Sequence, residues 1–280
     1  MKFLKSQFSL EESNIVVFGV PIGKRFKDIS EKLRKTSIYL EVFDIDRKRN
    51  LLENIKISDL GDLEIKNLEE IISYTKNIVQ KNKIPLLISG DHPTLFSFQA
   101  FDEKTKIISF DAHCDLKDEY EDEKIIDLST WSGNFDSRVN GATWLRRLCE
   151  KIDPKNILLL GIRSCDEDEL KFIEDNDIHY FTSSKIKEDI KSVKQKVKEF
   201  TKNSKLYITL DIDVFDPSIA PAVHHPEPNG IFFNDFQNLL ESFKGKLVGL
   251  DVCCLNPIQN NEVTEFLVIR SIFEILGLIS

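Results

Sequence analysis

KIISFDAHCD, residues 106–115, joins a short apolar run to a burst of metal-binding residue types. The run of residues 106–110 is too short for a helix and shows no polar face, so it is expected to form a strand buried on both sides. Similar runs stand at residues 14–20 (NIVVFGV), 84–89 (IPLLIS), 156–160 (NILLL), 178–181 (IHYF), 205–210 (KLYITL) and 246–252 (KLVGLDV). Between them lie stretches with helical spacing, at 28–34, 68–80, 93–100, 143–151, 166–175, 185–200 and 234–243, and a closing one at 263–278. Strands and helices in alternation predict an α/β fold of three layers, α/β/α, around a mostly parallel sheet. No repeat, low-complexity tract or Pro/Gly/Ser-rich linker divides the chain, so residues 1–280 are read as a single domain. The acidic segment 116–140 is the main irregular stretch, and long loops in compact domains are usually functional or disordered.

The net charge of −9 argues against a nucleic-acid partner, which needs a basic face, and against an anionic membrane surface. It permits attraction of a small cation into an acidic cleft. No apolar run is long enough to span a bilayer, and the first residues, MKFLKS, lack a leader's apolar core. The five cysteines are odd in number and form no CxxC pair. That pattern fits reduced thiols and a cytoplasmic setting.

Ligands of doubly wound α/β folds bind beyond the carboxyl ends of the strands. There KIISF runs into Asp111, His113 and Asp115, KLYITL into Asp211 and Asp213, and IPLLIS into Gly90-Asp91-His92. With the period-two alternation of an extended chain, Asp111, His113 and Asp115 share one side, as do Asp211 and Asp213. Carboxylates so close together repel and call for bound cations. A mixed oxygen and imidazole set suits Mn²⁺ better than a thiolate-selecting metal. A lone DxD is often no more than a turn or cap; the coincidence on three strand ends is what carries weight.

Together the motifs resemble the ureohydrolases, the arginase and agmatinase family. They are Ser89-Gly90-Asp91-His92, Asp111-Ala112-His113-Cys114-Asp115, and Thr209 through Pro217 (TLDIDVFDP) followed by Ala220-Pro221. Further echoes are Val17-Phe18-Gly19-Val20-Pro21, Leu160-Gly161-Ile162-Arg163, Pro226-Glu227-Pro228-Asn229-Gly230 and Phe273-Glu274-Ile275-Leu276. The resemblance implies an arginase-like fold and two Mn²⁺ ions per chain. One would be held by His92, Asp111, Asp115 and Asp211, the other by His113, Asp111, Asp211 and Asp213. It further implies a hydroxide between the ions that attacks a guanidino or amidino carbon, and a homo-oligomer, trimeric or hexameric.

Departures from the family pattern define the substrate side. Gly141 stands where agmatinases carry a proton-shuttling histidine, and Cys254 replaces the glutamate that binds the guanidinium. His224-His225 replaces a Gly-Thr, and the early substrate loop is cut to Ile22-Gly23-Lys24-Arg25-Phe26. Asp115 and His225 are therefore the expected catalytic groups, and Cys254, Asn140 and His224 the expected substrate contacts. Cys114 is expected to turn into the core. The leading expectation is a Mn²⁺-dependent hydrolase of a guanidino- or amidino-type linear C–N bond. The alternative is a non-hydrolytic homologue that keeps its metals for a structural, binding or regulatory role.

Overall fold

A strand that is apolar on both sides needs cover on both sides, and the computed structural model supplies it with a helical layer on each face of one central sheet. It describes residues 2–23, 26–65, 67, 69–120 and 137–279. In chain order the elements are β1 (Ile15–Val20), α1 (Phe26–Ser37), a two-stranded ribbon of β2 (Phe43–Asp44) and β3 (Arg49–Asn50), β4 (Ile57–Asp62), α2 (Glu69–Gln80), β5 (Ile84–Ser89), α3 (Thr94–Ser97), β6 (Lys106–Phe110) and α4 (Trp144–Cys149). There follow β7 (Ile157–Ile162), α5 (Glu167–Asp175), β8 (His179–Thr182), α6 (Ser183–Glu188), α7 (Ile190–Thr201), β9 (Lys205–Asp211), α8 (Phe233–Glu241), β10 (Lys246–Cys253) and α9 (Val263–Leu276). Of the acidic stretch 116–140, residues 121–136 lie outside the described residues, as do Lys24 and Arg25 of the shortened early loop and Leu68 at the start of the expected second helix.

The sheet has eight strands in the order β4-β1-β5-β10-β9-β6-β7-β8, and every pairing in it is parallel. One face packs Ile108, Ile208 and Leu250 against Leu33 of α1, Val197 of α7, Phe236 of α8 and Ile272 of α9. The other packs Ile107, Leu159 and Tyr207 against Leu145 of α4 and Ile173 of α5, and Phe18 and Leu87 against Ile71 of α2. Among the described residues no helix is long and apolar enough to cross a membrane.

Three local readings differ from the sequence expectation. β4 reads ISDLGD, with Ser58 and Asp59 buried, so it carries no apolar signature. The helix expected at 185–200 is two, α6 and α7, because Asp189 breaks it and caps α7 through the Ser192 N–H (3.2 Å). The helix expected at 93–100 is the four-residue α3 followed by a 3₁₀ turn, Phe98–Ala100.

Four adjacent strands at the centre of the sheet, β5, β10, β9 and β6, end side by side. Just inside that edge, the fully buried Asp251 of β10 accepts hydrogen bonds from Thr94 Oγ1 (2.8 Å), Tyr207 OH (2.6 Å) and Thr209 Oγ1 (2.7 Å). This network ties β10 to β9 and to the first residue of α3, and so fixes the turn that carries His92.

Candidate metal centre

Three of the four central strands, β5, β6 and β9, deliver one cluster. His92 follows β5, Asp111, His113 and Asp115 follow β6, Asp211 closes β9, and Asp213 lies in the 3₁₀ turn after it. His92 Nε2 is 3.0 Å from Asp211 Oδ2, 3.2 Å from Asp115 Oδ2 and 3.7 Å from Asp111 Oδ2. His113 Nδ1 is 3.0 Å from Asp213 Oδ2 and 3.7 Å from Asp111 Oδ1. All six expected metal residues therefore meet at one place, and Asp111 lies between the two imidazoles.

Backbone donors aim the carboxylates. The Ala112 N–H donates to Asp213 (3.0 Å), the His113 N–H to Asp111 Oδ1 (2.7 Å) and the Asp213 N–H to Asp211 Oδ1 (2.8 Å). Simple strand alternation does not carry as far as Asp115, whose backbone is left-handed (φ 53°). Its carboxylate is instead positioned by Trp144 Nε1, which donates to Oδ2 at 2.6 Å, while the Trp144 ring stacks on His92 at 5.1 Å. Leu116 N–H is tied to Glu169 Oε1 (2.9 Å).

Electrostatics expose the strain of this arrangement. Burial, then the neighbouring Asp115, Asp211 and Asp213, push the Asp111 carboxyl far above the usual carboxylate range. Burial likewise raises Asp115, to about 6. Burial opposes charge on His113, but Asp111 and Asp213 outweigh it and lift the imidazole to about 12. Asp111 Oδ2 is buried without a hydrogen-bond partner, a condition that a buried carboxylate tolerates only beside a cation. The residues fit a pair of hard divalent ions on that ground: oxygen-rich, imidazole-bearing, and short of positive charge.

The cluster floors a cleft of about 490 Å³ lined also by Asp91, Lys117, Gly141, His224, His225, Glu227 and Cys254. His225, His224 and Cys254 thus reach the cleft, as expected of residues facing a substrate. Asn140 does not line it. Its amide is engaged within its own loop, donating to Tyr120 O (2.9 Å) and accepting from the Ala142 N–H (3.0 Å). Cys114 is buried in the core, as strand alternation required. At Gly141 a Cβ atom would lie 2.7 Å from Asp91 Oδ1, so the space a larger side chain would enter is held by the Asp91 carboxylate.

Sequence reasoning missed four contributors. Trp144 gave no signal beyond its place two residues after Ala142. Cys253 belongs to the apolar β10 run, yet its Sγ is 3.4 Å from His92 Nδ1. Glu227 had been noted only within a motif; its Oε1 is 3.9 Å from His113 Nε2. Arg163 extends from the end of β7 and donates to the carbonyl oxygens of Asp213 (2.6 Å), Glu227 (2.9 Å) and Pro228 (3.1 Å), joining the β9 turn to the loop over the cleft.

Comparison with known proteins agrees with this geometry: residues 13–277 match the family model described as the arginase family. The chain belongs to the arginase family. Among arginase-family relatives, the agmatinase of Bacillus anthracis is 28% identical over 284 residues, covering 92% of this chain and 89% of that protein. The agmatine ureohydrolase structure of Thermoplasma volcanium superposes with a TM-score of 0.83 at 26% identity, over 99% of this chain and 93% of that one. The Trypanosoma cruzi formiminoglutamase structure with Mn²⁺ has a TM-score of 0.81 at 18% identity, over 99% and 96% of the two chains, and shares the fold. This arginase-family chain is accordingly a hydrolase of non-peptide C–N bonds in linear amidines.

Proposed function

We propose that residues 1–280 act as one domain, a Mn²⁺-dependent hydrolase of a guanidino- or amidino-type compound other than free arginine or agmatine. The observation that carries this reading is the set of four carboxylates and two imidazoles around the partnerless Asp111 Oδ2. His92, Asp111, Asp115 and Asp211 would hold one ion, and His113, Asp111, Asp211 and Asp213 the other. Two such ions, when bound, acidify water and stabilise negative charge developing at the attacked carbon.

The chain's own residues do the remainder. Glu227 and Asp91 present carboxylates to the N–H groups of an amidinium in the cleft, charge-assisted bonds of the stronger class. Cys254, a weak donor and weak acceptor, leaves the wall without the carboxylate that a free guanidinium favours. Asp115, oriented by Trp144, takes the proton released by the attacking water. His225, whose ring centroid is 6.1 Å from that of His113, gives a proton to the leaving amine. A reduced, cytoplasmic setting and a trimeric or hexameric homo-oligomer complete the proposal, the first supported by five unpaired cysteines.

The test is a screen of guanidino, amidino and formimino compounds against Mn²⁺-loaded protein, scoring urea, ammonia and formamide. Turnover of one compound class is expected. Complete inactivity of protein holding two Mn²⁺ per chain would refute the hydrolytic reading.

A further inference from the structure

Cys253 and Cys254 are consecutive, and consecutive residues of a strand point to opposite faces. Here they do not follow that rule. Cys254 has a left-handed backbone (φ 64°), a conformation uncommon for a residue with a side chain, and the turn it makes brings both sulfurs to one centre. His92, Asp211, Cys253 and Cys254 each place one ligand atom within 4.8 Å of the other three. Cys253 Sγ is 3.8 Å from His92 Nε2 and 3.9 Å from Asp211 Oδ2, and those two atoms are 3.0 Å apart. Zinc–sulfur bonds of about 2.3 Å and zinc–nitrogen bonds of about 2.0 Å in a tetrahedral site put neighbouring ligand atoms roughly 3.5 Å apart. Both sulfur spacings exceed that value by a few tenths of an ångström, and Cys253 Sγ lies nearer to His92 Nδ1 (3.4 Å) than to Nε2, so the Cys253 side chain must turn toward Nε2 to share an ion with it.

We propose that these four residues form a thiolate-bearing site for a soft divalent cation such as Zn²⁺, in exclusive competition with Mn²⁺. The exclusion follows from sharing: His92 Nε2 and Asp211 Oδ2 face both the thiols and the carboxylates Asp111 and Asp115, and one ion at a time can take them. On the carboxylate side the donors are hard oxygens; on the other side are two sulfurs, which select thiophilic metals. One polar edge thus offers two coordination environments, and the metal supplied decides which is used. The hard-ion half of this competition rests on the proposed dinuclear centre; the thiolate half adds two sulfurs which that centre does not use.

The probe is Co²⁺ added to the metal-free full chain. A near-ultraviolet sulfur-to-cobalt charge-transfer band should appear and saturate at one equivalent. Cys253→Ser and Cys254→Ser should each weaken it, and the double variant should abolish it. Zn²⁺ affinity, read by chelator competition, should fall more than ~100-fold in the double variant, beyond the 10- to 100-fold typical of residues that merely support a ligand. Zn²⁺ should also release one Mn²⁺ from the Mn²⁺-loaded wild type, seen as the free-ion signal in electron paramagnetic resonance. A band that survives in the double variant, or Zn²⁺ release of Mn²⁺ that is equal in both proteins, overturns the proposal. So does the absence of any band from protein that binds two Mn²⁺, an outcome that leaves the hydrolase reading intact. A thiol-dependent band in protein that binds no Mn²⁺ would have the opposite meaning, sustaining the soft-metal site and refuting the dinuclear one. Should the double variant fail to melt cooperatively, the two single variants decide, and an undiminished band in either overturns the proposal.

Discussion

Two clusters of acids, one wholly buried and one pairing buried Asp59 with exposed Asp62, solve the same problem in different ways. At the edge of the sheet, Asp59 and Asp62 of β4 meet Arg34 of α1, whose Nε is 2.8 Å from Asp59 and Nη1 2.7 Å from Asp62. Burial favours a neutral Asp59, but Arg34 and the Phe3 and Gly61 N–H groups outweigh it and hold the carboxyl below its usual range. At the centre of the sheet, Asp111, Asp115 and Asp211 are all shifted upward. No lysine or arginine nitrogen among the described residues pairs with any of the three. The edge cluster is neutralised by a guanidinium, whereas the central cluster has only the two imidazoles of His92 and His113 against four carboxylates. Buried carboxylates alone do not mark a metal site; buried carboxylates partnered only by imidazoles, which are themselves metal ligands, do.

The largest effect expected from that contrast is at Asp111 or Asp211. Asp111→Asn or Asp211→Asn should lower Mn²⁺ affinity more than ~100-fold, since even supporting residues account for 10- to 100-fold, and hydrolysis should fall with it. In the absence of metal the same variants should melt above the wild type, because one of several repelling charges is gone. Scanning calorimetry with and without Mn²⁺ reads both signs, and a lower melting point for the metal-free variants would contradict the repulsion argument.

Next in size is the edge cluster. Arg34→Met strands Asp59 without its partner, and breaking a buried pair by removing one member costs about 3–5 kcal/mol. Urea unfolding should show that loss while Mn²⁺ stoichiometry stays at the wild-type value. A loss below about 1 kcal/mol would place the pair among solvent-exposed bridges.

Acidity should then separate the clusters by sign. Asp115 has a folded-state value raised to about 6, above the ~3.9 of an unfolded aspartate. The metal-free chain therefore gains stability from this group as pH falls from above 6 towards 4, by at most about 3 kcal/mol at 1.36 kcal/mol per unit. Asp59 is depressed, so its contribution is full above ~4 and is lost only as pH drops below that. With Mn²⁺ bound the trend between pH 6 and 4 should reverse, because protons then compete with the metal for the same oxygens. Melting curves across that range, with and without Mn²⁺, check the reversal; parallel curves would count against it.

The smallest effect concerns the cleft wall. Agmatine and arginine should be turned over with kcat/KM below ~10⁴ M⁻¹s⁻¹, the low end of typical enzymes. Cys254→Glu restores a carboxylate worth ~1.5–3 kcal/mol to a charged donor, so kcat/KM on these guanidines should rise roughly 10- to 100-fold. The variant also adds an acid to a cluster whose carboxylates already outnumber its imidazoles, and its metal-free form should melt below the wild type. An unchanged kcat/KM would mean that Glu227 or Asp91 already supplies the anchor.

The central cluster was legible because its residues interrupt apolar strands. Asp111, Asp211 and His92 stand where KIISF, KLYITL and IPLLIS stop, and a turn or cap explains any one of them but not the coincidence of three. The edge cluster was invisible for the mirror-image reason. β4 reads ISDLGD, and its polar residues are satisfied by Arg34, 25 positions away from Asp59, which no local periodicity reveals. Trp144 and Cys253 were missed because each looks like core until the strands are laid side by side. Asn140, expected at the substrate, instead bonds the backbone of its own loop, which no sequence pattern marks. The break at Asp189 was hidden by a continuous amphipathic pattern, since a cap in mid-helix leaves the apolar spacing undisturbed.

Arg163 has one more consequence. Among the described residues, every hydrogen bond of its guanidinium ends on a main-chain carbonyl oxygen: Gly161, Asp213, Val214, Phe215, Glu227 and Pro228. A clasp that grips only the backbone is indifferent to the side chains mounted on it. The loop bearing His224, His225 and Glu227 can therefore exchange residues over generations without losing its anchorage to the sheet. Specificity becomes a replaceable fitting on a permanent mount, and the substitutions that set this chain apart from its relatives are of the kind such a mount tolerates.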